Sequence, residues 1–248
     1  MLLKFRPFYL LATFLLLHAA CAMAQTKKPV PKKTGPAAPV TKSVTKKPVV
    51  IQKLTNVRIK ISTDSGNIIV KLSDSTPLHR DNMVKLIKQG FYDSLLFHRV
   101  IPQFMIQGGD PGSKYAASGT MLGSGGDTMA RIPAEFNTAL YHKKGVLAAA
   151  RDGNPQKASS ACQFYLVEGK LYTDEQLNIQ ELQKGIKYTP EQRKMYTTVG
   201  GTPQLDAAYT VFGEIESGVE VIAKISGVPR DGANRPLGDI RMRMEILK

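Results

Sequence analysis

Residues 97–111 read Phe-His-Arg-Val-Ile-Pro-Gln-Phe-Met-Ile-Gln-Gly-Gly-Asp-Pro and form the most informative stretch of this chain. In an extended conformation Arg99 and Ile101 share one face, and Met105 and Gln107 share a face after the intervening turn. The stretch therefore groups a guanidinium that never deprotonates with large apolar side chains and an amide. Such a surface can hold an apolar ring while donating hydrogen bonds to a neighbouring polar group. Because it contains no nucleophile, we expect it neither to acylate nor to hydrolyse a substrate.

The same stretch resembles the signature of the cyclophilins, which is Phe-His-Arg, an apolar run and then Phe-Met-x-Gln-Gly-Gly-Asp. The resemblance continues in the family's order through Gly-Val-Leu-Ala-Ala-Ala at 145–150, Cys-Gln-Phe-Tyr at 162–165 and Leu-Asp-Ala-Ala-Tyr-Thr-Val-Phe-Gly at 205–213. It covers the chain from roughly Val57 to the C-terminus, and several motifs in order are far more specific than one short motif. The resemblance implies a peptidyl-prolyl cis-trans isomerase, an enzyme that rotates the peptide bond before proline.

The pattern of the chain after the first 50 residues predicts a mainly β fold. Apolar residues alternate with polar ones in short runs, as expected for strands that bury one face. The eight candidate strands span residues 57–61, 67–72, 97–101, 105–108, 146–150, 163–167, 210–215 and 240–246. Eight strands can close into a barrel that their interior side chains just fill. The resemblance implies the same architecture, a closed eight-stranded cyclophilin-like antiparallel barrel capped by two helices, and the pattern places these helices at 77–89 and 219–225.

A segment at about 168–203 departs from the compact family pattern. Thr173-Asp-Glu-Gln and Thr189-Pro-Glu-Gln are both capping boxes, in which the Thr and Gln side chains satisfy backbone N–H groups at the start of a helix. Gly185 and Gly200 stand where the two helices could end. We therefore predict an inserted helical hairpin just before the last motif of the resemblance. The sequence leaves open whether this hairpin flanks the substrate groove or packs elsewhere without a role in binding.

The N-terminus, residues 1–24, predicts a secretory signal peptide, and we expect export to the periplasm or the cell surface. Lys4 and Arg6 precede an apolar run at 8–17, and Ala22-Met-Ala24 supplies the small residues of a cleavage site. The apolar run is well short of the roughly 20 residues that a membrane-spanning helix needs.

Cys21 offers an alternative N-terminus for the mature protein. It follows Leu-His-Ala-Ala at 17–20, which resembles a bacterial lipoprotein cleavage box except that His18 replaces the usual aliphatic residue. We favour soluble release over a lipid anchor at Cys21. Soluble release leaves Cys162 as the single cysteine of the mature chain, which then cannot form an internal disulfide. Because Cys162 lies in an apolar pattern, we interpret it as a buried structural residue.

Residues 25–50 differ in composition from the rest, with seven Lys, five Pro and no acid. This composition predicts a disordered linker ahead of an isomerase domain at 51–248. Without Lys4, Arg6 and the linker lysines, the net charge of +14 falls to +5, from 25 bases and 20 acids. Because the domain is only mildly basic and the chain is exported, we expect no nucleic-acid partner. A contact of the Lys-rich tail with an anionic cell-surface polymer is the alternative to a solvated linker.

The resemblance also implies the residues of the site. Arg99 and Gln107 are the catalytic candidates: the guanidinium donates a hydrogen bond to the proline nitrogen in the twisted state, while Gln107 and Gln163 hold the substrate backbone. The substrate-binding pocket and its rim are formed by Phe104, Met105, Ala150, Arg151, Gln163, Tyr165, Leu205 and Tyr209. We expect no metal or cofactor, because the histidines lack metal-ligand spacing.

Three rim positions depart from familiar eukaryotic cyclophilins: Arg151 where Asn is common, Gln204 where Trp is often found, and Tyr209 where His is often found. These changes leave the apolar floor in place and affect the sequence preference of the rim. We expect unfolded or proline-containing polypeptides as partners and assistance to the folding of exported proteins as the role. One alternative is a non-catalytic peptide-binding module or holdase chaperone on the same fold. Another is a structural tether that uses only the Lys-rich tail.

Overall fold

A computed structural model describes residues 54–247 as eight strands and four helices. The strands are β1 (Arg58–Thr63), β2 (Gly66–Leu72), β3 (Phe97–Ile101), β4 (Met105–Gly108), β5 (Val146–Ala149), β6 (Phe164–Val167), β7 (Val211–Ser217) and β8 (Arg243–Leu247). The helices are α1 (Pro77–Lys88), α2 (Asp174–Lys184), α3 (Pro190–Thr198) and α4 (Val219–Ser226). All eight predicted strands are confirmed, with ends that differ from the prediction by up to three residues. The predicted mainly β class is therefore correct.

The strands form one antiparallel sheet in the order β3-β4-β6-β5-β7-β2-β1-β8, which curls toward a barrel. The prediction of a closed barrel was too strong, because the two ends of the sheet join only over a short stretch. This stretch consists of the Leu96–Arg241 bridge and three backbone hydrogen bonds between residues 94–97 and 240–242. Further along β3, the Val100 N–H donates to the carbonyl of Asn234, which belongs to a loop. Strand β8 itself begins only at Arg243, so the partner of Val100 is a loop and not a strand.

Helices α1 and α4 pack against the sheet and complete the main core. Helix α1 begins with a proline at its first position, as predicted, because a proline there sacrifices no helical hydrogen bond. Its buried side chains include Met83 and Leu86, whereas Leu78 in its first turn is 50% exposed. Helix α4 buries Ile222 and Ile225 in the same core.

The predicted helical hairpin is present as α2 and α3. Thr173 and Thr189 form the two capping boxes, and the left-handed Gly185 ends α2 at φ 64°. Arg193 of α3 pairs with Asp174 at 2.8 Å and with Glu181 at 3.2 Å, which ties the two helices together. A small apolar cluster separate from the main core lies inside the hairpin, formed by Leu177, Tyr188 and Tyr196. The hairpin is therefore a folded unit with its own interior.

The predicted signal peptide, the Lys-rich linker and the lipid-anchor site at Cys21 lie outside the described residues. Within residues 54–247, no helix is long and apolar enough to cross a membrane. Cys162 is buried with a free thiol, and its burial raises the pKa of that thiol. A buried protonated thiol reacts poorly, because the thiolate is the nucleophilic form. This placement agrees with the structural interpretation of Cys162.

Candidate active site

The candidate site lies on the face of the sheet opposite the main core. Strand register places Arg99 of β3 opposite Gln107 of β4, and Gln107 opposite Tyr165 of β6. Tyr165 in turn pairs with Ala148 of β5. Residues paired across neighbouring strands project to the same side of a sheet, so this row reaches across four strands. The alternation in residues 97–111 thus places Phe97, Val100 and Ile106 in the main core. It places Arg99, Met105 and Gln107 on the opposite face, at the site.

A pocket of about 120 Å³ stands over this row of residues. Its lining includes both catalytic candidates and seven of the eight predicted substrate-binding residues. These are Arg99, Phe104, Met105, Gln107, Ala150, Arg151, Tyr165, Leu205 and Tyr209. Gln163 lies just outside and lines an adjoining cleft of about 130 Å³, together with Gln107, Ala150 and Arg151. The structure therefore brings together residues that are up to 110 positions apart in the sequence.

A chain of hydrogen bonds holds Arg99 at the mouth of the pocket. The Arg99 Nη1 donates to Gln107 Oε1 at 3.2 Å, and Gln107 Nε2 donates to Gln163 Oε1 at 3.0 Å. Partial burial lowers the pKa of Arg99 from its ordinary value, and Tyr209 opposes this shift. An arginine pKa starts so high that the group stays charged. Within the described part of the chain no carboxylate pairs with this guanidinium, so its other N–H groups are available to a ligand.

The amide chain ends on a glycine-rich loop. Gln163 Nε2 donates to the carbonyls of Gly123 and Gly125, at 2.9 Å each. The backbone N–H groups of the same two glycines donate to the Asp110 carboxylate. The loop is therefore fixed from both sides, by Gln163 and by Asp110. An added side chain at Gly125 would meet Asp110 Oδ1 at 1.9 Å, so this close approach requires glycine.

The rim of the pocket is built around the unusual pair Arg151 and Tyr209. The Arg151 guanidinium lies over the Tyr209 ring, 4.6 Å from its centroid, and its Nε donates to the Ala208 carbonyl at 2.8 Å. Tyr209 also meets Tyr165 edge-on, with ring centroids 6.0 Å apart. Two of the three rim departures therefore compensate each other, since an arginine stacks well on an aromatic face. The third, Gln204, accepts a hydrogen bond from the Tyr172 hydroxyl at 2.7 Å.

Two buried residues that support the pocket were not identified from the sequence. Neither His142 nor Asp206 is among the predicted site residues. In the structure His142 Nδ1 lies 2.8 Å from Asp206 Oδ1, and its Nε2 lies 2.9 Å from the Tyr165 hydroxyl. No local spacing signals this contact, because His142 and Asp206 are 64 residues apart.

The chemistry open to this arrangement is binding and polarisation. The pocket offers an apolar floor, the guanidinium groups of Arg99 and Arg151, and the amide of Gln107, with the amide of Gln163 in the adjoining cleft. Within residues 54–247, no group of three or more His, Cys, Asp or Glu side chains could hold a metal ion. Neither of the candidate catalytic side chains can form a covalent intermediate. The geometry therefore suits a reaction in which bonds rotate and none breaks.

Comparison with known proteins agrees with this geometry. Residues 58–245 match the model of the cyclophilin type peptidyl-prolyl cis-trans isomerase family. A relative from Staphylococcus haemolyticus assigned as a peptidyl-prolyl cis-trans isomerase is 32% identical over 187 residues, which are 74% of this chain and 87% of that protein. A Streptococcus pyogenes relative assigned as a bifunctional phosphatase/peptidyl-prolyl cis-trans isomerase is 33% identical over 77% of this chain. The matched region is 38% of that larger protein.

Solved structures show the same fold. The crystal structure of a Cryptosporidium parvum cyclophilin type peptidyl-prolyl cis-trans isomerase matches with a TM-score of 0.58 and 23% identity. The match covers 77% of this chain and 98% of that one. The family model spans the sheet, both capping helices and the site, so this chain belongs to the cyclophilin-type peptidyl-prolyl cis-trans isomerase family.

Proposed function

We propose that this protein is an exported peptidyl-prolyl cis-trans isomerase that assists the folding of exported proteins. The observation that carries the proposal is the single pocket in which Arg99 stands beside an apolar floor and is fixed by Gln107. Family membership supports the isomerase activity. The signal-peptide pattern of the first 24 residues supports export.

The reaction requires a lower barrier and no driving force. Amide resonance sets a rotational barrier of about 18–20 kcal/mol, whereas the two isomers before proline differ by only about 0.5–1 kcal/mol. Each reduction of the barrier by about 1.4 kcal/mol gives a tenfold faster rotation. A reduction of about 7 kcal/mol would therefore bring an event that takes minutes to the scale of milliseconds.

Arg99 is placed to supply part of that reduction. When the peptide bond is twisted, resonance is lost and the proline nitrogen gains a lone pair that can accept a hydrogen bond. A donor that meets this lone pair stabilises the twisted state more than either planar isomer, which is the condition for catalysis. Gln107 fixes the guanidinium in advance, so little reorganisation accompanies the rotation. Phe104, Met105 and Leu205 form the apolar surface that holds the proline ring.

The ligand class is a proline-containing peptide. A Cryptosporidium parvum cyclophilin with the same fold was crystallised in the presence of the dipeptide Ala-Pro, and that structure matches this chain with a TM-score of 0.57. The adjoining cleft lined by Gln107 and Gln163 gives a longer peptide a polar path away from the proline pocket. Exposed Xaa-Pro bonds of unfolded exported proteins would supply such ligands. Contact of the Lys-rich tail with an anionic surface polymer would act beside this activity and is independent of it.

Exchange NMR on a short peptide with one Ala-Pro bond tests the proposal. We expect the purified protein to raise the cis-trans exchange rate of that bond in proportion to its concentration. Binding of the peptide without faster exchange would contradict the isomerase proposal and favour the alternative of a non-catalytic peptide-binding module or holdase. The same titration therefore separates the two functions.

The predicted route of export has a separate test. We expect the mature protein to begin at Gln25 and to carry no lipid, because Ala22 and Ala24 fit a signal-peptidase site better than His18 fits a lipoprotein box. Intact mass spectrometry of the protein from an expressing bacterium measures both the start and any modification. A diacylglyceryl group on Cys21 at a new N-terminus would contradict soluble release.

A further inference from the structure

The helical hairpin bonds to the turn that carries one wall of the proline pocket. Leu205 ends a short 3-10 turn and lines that pocket. The Tyr188 hydroxyl donates to the carbonyl of Pro203 at 3.1 Å. The Tyr172 hydroxyl, two residues before α2, donates to Gln204 Oε1 at 2.7 Å. The two residues before Leu205 are thus both held by the predicted insertion.

The residue after Leu205 is held from the same side. The Lys184 Nζ donates to the backbone carbonyl of Asp206 at 2.8 Å. The Tyr196 hydroxyl donates to Asp206 Oδ2 at 2.5 Å. The side chains of Tyr172, Lys184, Tyr188 and Tyr196 therefore bond to the two residues before Leu205 and to the one after it, and we call this set of contacts the hairpin clasp. A hairpin that only packed against the domain would not need to direct four polar groups at one turn.

The hairpin clasp continues into the pocket floor through buried groups. Asp206 Oδ1 accepts hydrogen bonds from both the backbone N–H and the Nδ1–H of His142, each at 2.8 Å. His142 Nε2 then lies 2.9 Å from the hydroxyl of Tyr165, which lines the pocket. A carboxylate can only accept, so the Nδ1 of His142 carries a proton at this contact. Both hydrogen bonds at the Asp206 carboxylate, from Tyr196 and from His142, are therefore fixed in direction.

Burial makes this chain of contacts stiff. Tyr196 is 0% exposed, His142 is 1% exposed and Asp206 is 6% exposed. Burial also raises the pKa of Tyr165 well above its ordinary value, so its hydroxyl keeps its proton. A buried polar group that loses its partner is costly, so each member holds the next in place. The ring of Tyr196 is fixed separately, by edge-on packing against Tyr141, Tyr172 and Tyr188.

We propose that the hairpin is a positioning element of the isomerase pocket, and that Tyr196 is a positioning residue that sets Tyr165 through Asp206 and His142. The inference rests on the proposed isomerase function. It gives the predicted insertion a role at the substrate groove and answers the question that the sequence left open. The hairpin touches no reacting atom. Its effect is to keep Leu205 and Tyr165 at the separation that a proline ring requires.

The test removes one hydroxyl and keeps the ring. Tyr196→Phe deletes the bond to Asp206 while leaving the aromatic packing unchanged. We expect catalytic efficiency on an Ala-Pro peptide to fall about tenfold, because small displacements of positioning groups have large effects on rate. The matched control is Tyr92→Phe, which deletes a buried hydroxyl that donates to the Cys162 carbonyl at 3.2 Å in the main core. We expect a similar loss of thermal stability in the two variants and unchanged efficiency in the control.

A double-mutant cycle shows whether the effect travels through His142. In a Tyr165→Phe background the last hydrogen bond is already missing, so adding Tyr196→Phe is expected to cost less than it does in the wild type. The ¹⁵N signals of the His142 ring should shift in Tyr196→Phe and stay in place in Tyr92→Phe. Full activity of Tyr196→Phe, or strict additivity in the cycle, would overturn the positioning role. If the wild-type protein itself fails to speed exchange, the isomerase proposal fails, and the ¹⁵N shifts still report on the structural linkage.

Discussion

Arg99 is the residue on which the proposed chemistry depends most directly. It pairs with an amide and not with a carboxylate in the described part of the chain, so its charge is not already neutralised when a peptide arrives. We expect Arg99→Ala to lower the isomerisation rate by about 10² or more, the scale of a lost preorganised donor. Peptide binding should weaken far less, since the planar isomers do not present the lone pair. Exchange NMR measures both quantities.

Arg99→Lys is the matched control for charge. An ammonium cannot reproduce the planar fork that reaches Gln107 and the substrate together, so we expect this variant to be slow as well. Thermal melts should show both variants folded, because Arg99 projects from the sheet face opposite the main core. Exchange at the wild-type rate in a folded Arg99→Ala protein would exclude the proposed mechanism and promote the peptide-binding alternative.

His98, the neighbour of Arg99, links stability to pH. Burial lowers its pKa to about 4, and the nearby Asp110 only partly opposes this shift. The folded state thus favours the neutral ring, whereas the unfolded chain binds a proton near the ordinary pKa of about 6.5. The contribution of neutral His98 to the free energy of unfolding is therefore fully present above about pH 6.5. It decreases by about 3 kcal/mol as the pH falls toward 4.

The measurement is urea unfolding of wild type and His98→Asn between pH 7 and pH 4. Asparagine does not titrate in this range, so the free energy of unfolding of the variant should depend less steeply on pH. The variant keeps some dependence, because burial also lowers the pKa of His79 despite its contact with Glu135. Parallel pH profiles for the two proteins would show that His98 does not contribute.

At the scale of elements, the capping boxes of the hairpin can be tested singly. Thr189 Oγ1 accepts from the Gln192 N–H at 3.2 Å at the start of α3. We expect Thr189→Ala to destabilise the protein by about 1 kcal/mol, the usual value of a lost N-cap. Thr198→Ala is the matched control on the same helix, because the Thr198 hydroxyl only bonds back to the Lys194 carbonyl. Chemical denaturation measures the free energy of unfolding of both variants. Equal losses would mean that the Thr189 cap contributes no more than an ordinary helix hydroxyl.

Local patterns in the sequence predicted most elements, because alternation and capping depend on neighbouring residues. The strand around Arg99, the proline at the start of α1 and the caps at Thr173 and Thr189 are all of this kind. Whether the outer strands close the barrel was harder to predict from the sequence. The hydrogen bond between Val100 and the loop at Asn234 joins positions that are 134 residues apart.

The candidate site likewise has one part that the sequence predicted and one part that it did not. Its pocket residues stand in motifs that resemble a family, and the structure places nine of them around one cavity. The supporting contacts from Tyr196 through Asp206 to His142 could not be predicted, because nothing in a tyrosine on a helix indicates which distant carboxylate it will meet. Hydrogen bonds between side chains depend on the finished fold, whereas caps and alternation do not.

At the scale of the whole molecule, we ask whether the Lys-rich tail at 25–50 is needed for the isomerase activity of the domain. The tail at 25–50 has seven Lys and five Pro and therefore little apolar surface to offer a packed site. We expect deletion of this tail to leave the exchange rate of a short Ala-Pro peptide within about twofold of the full-length rate. The readout is again exchange NMR, with the melting temperature as a check on folding. A large loss of activity would show that the tail completes the pocket.

The incomplete closure of the sheet has a further consequence under the proposed function, in which the protein would meet unfolded chains. Every such chain carries segments that could extend an open sheet edge, and an unprotected edge invites aggregation. Here the outer edge of β3 is occupied by the loop at Asn234, and the approach to β8 is bridged to Leu96. Under the proposed function, an unfolded chain would therefore meet the side chains of the pocket and not a free strand edge with which its backbone could pair.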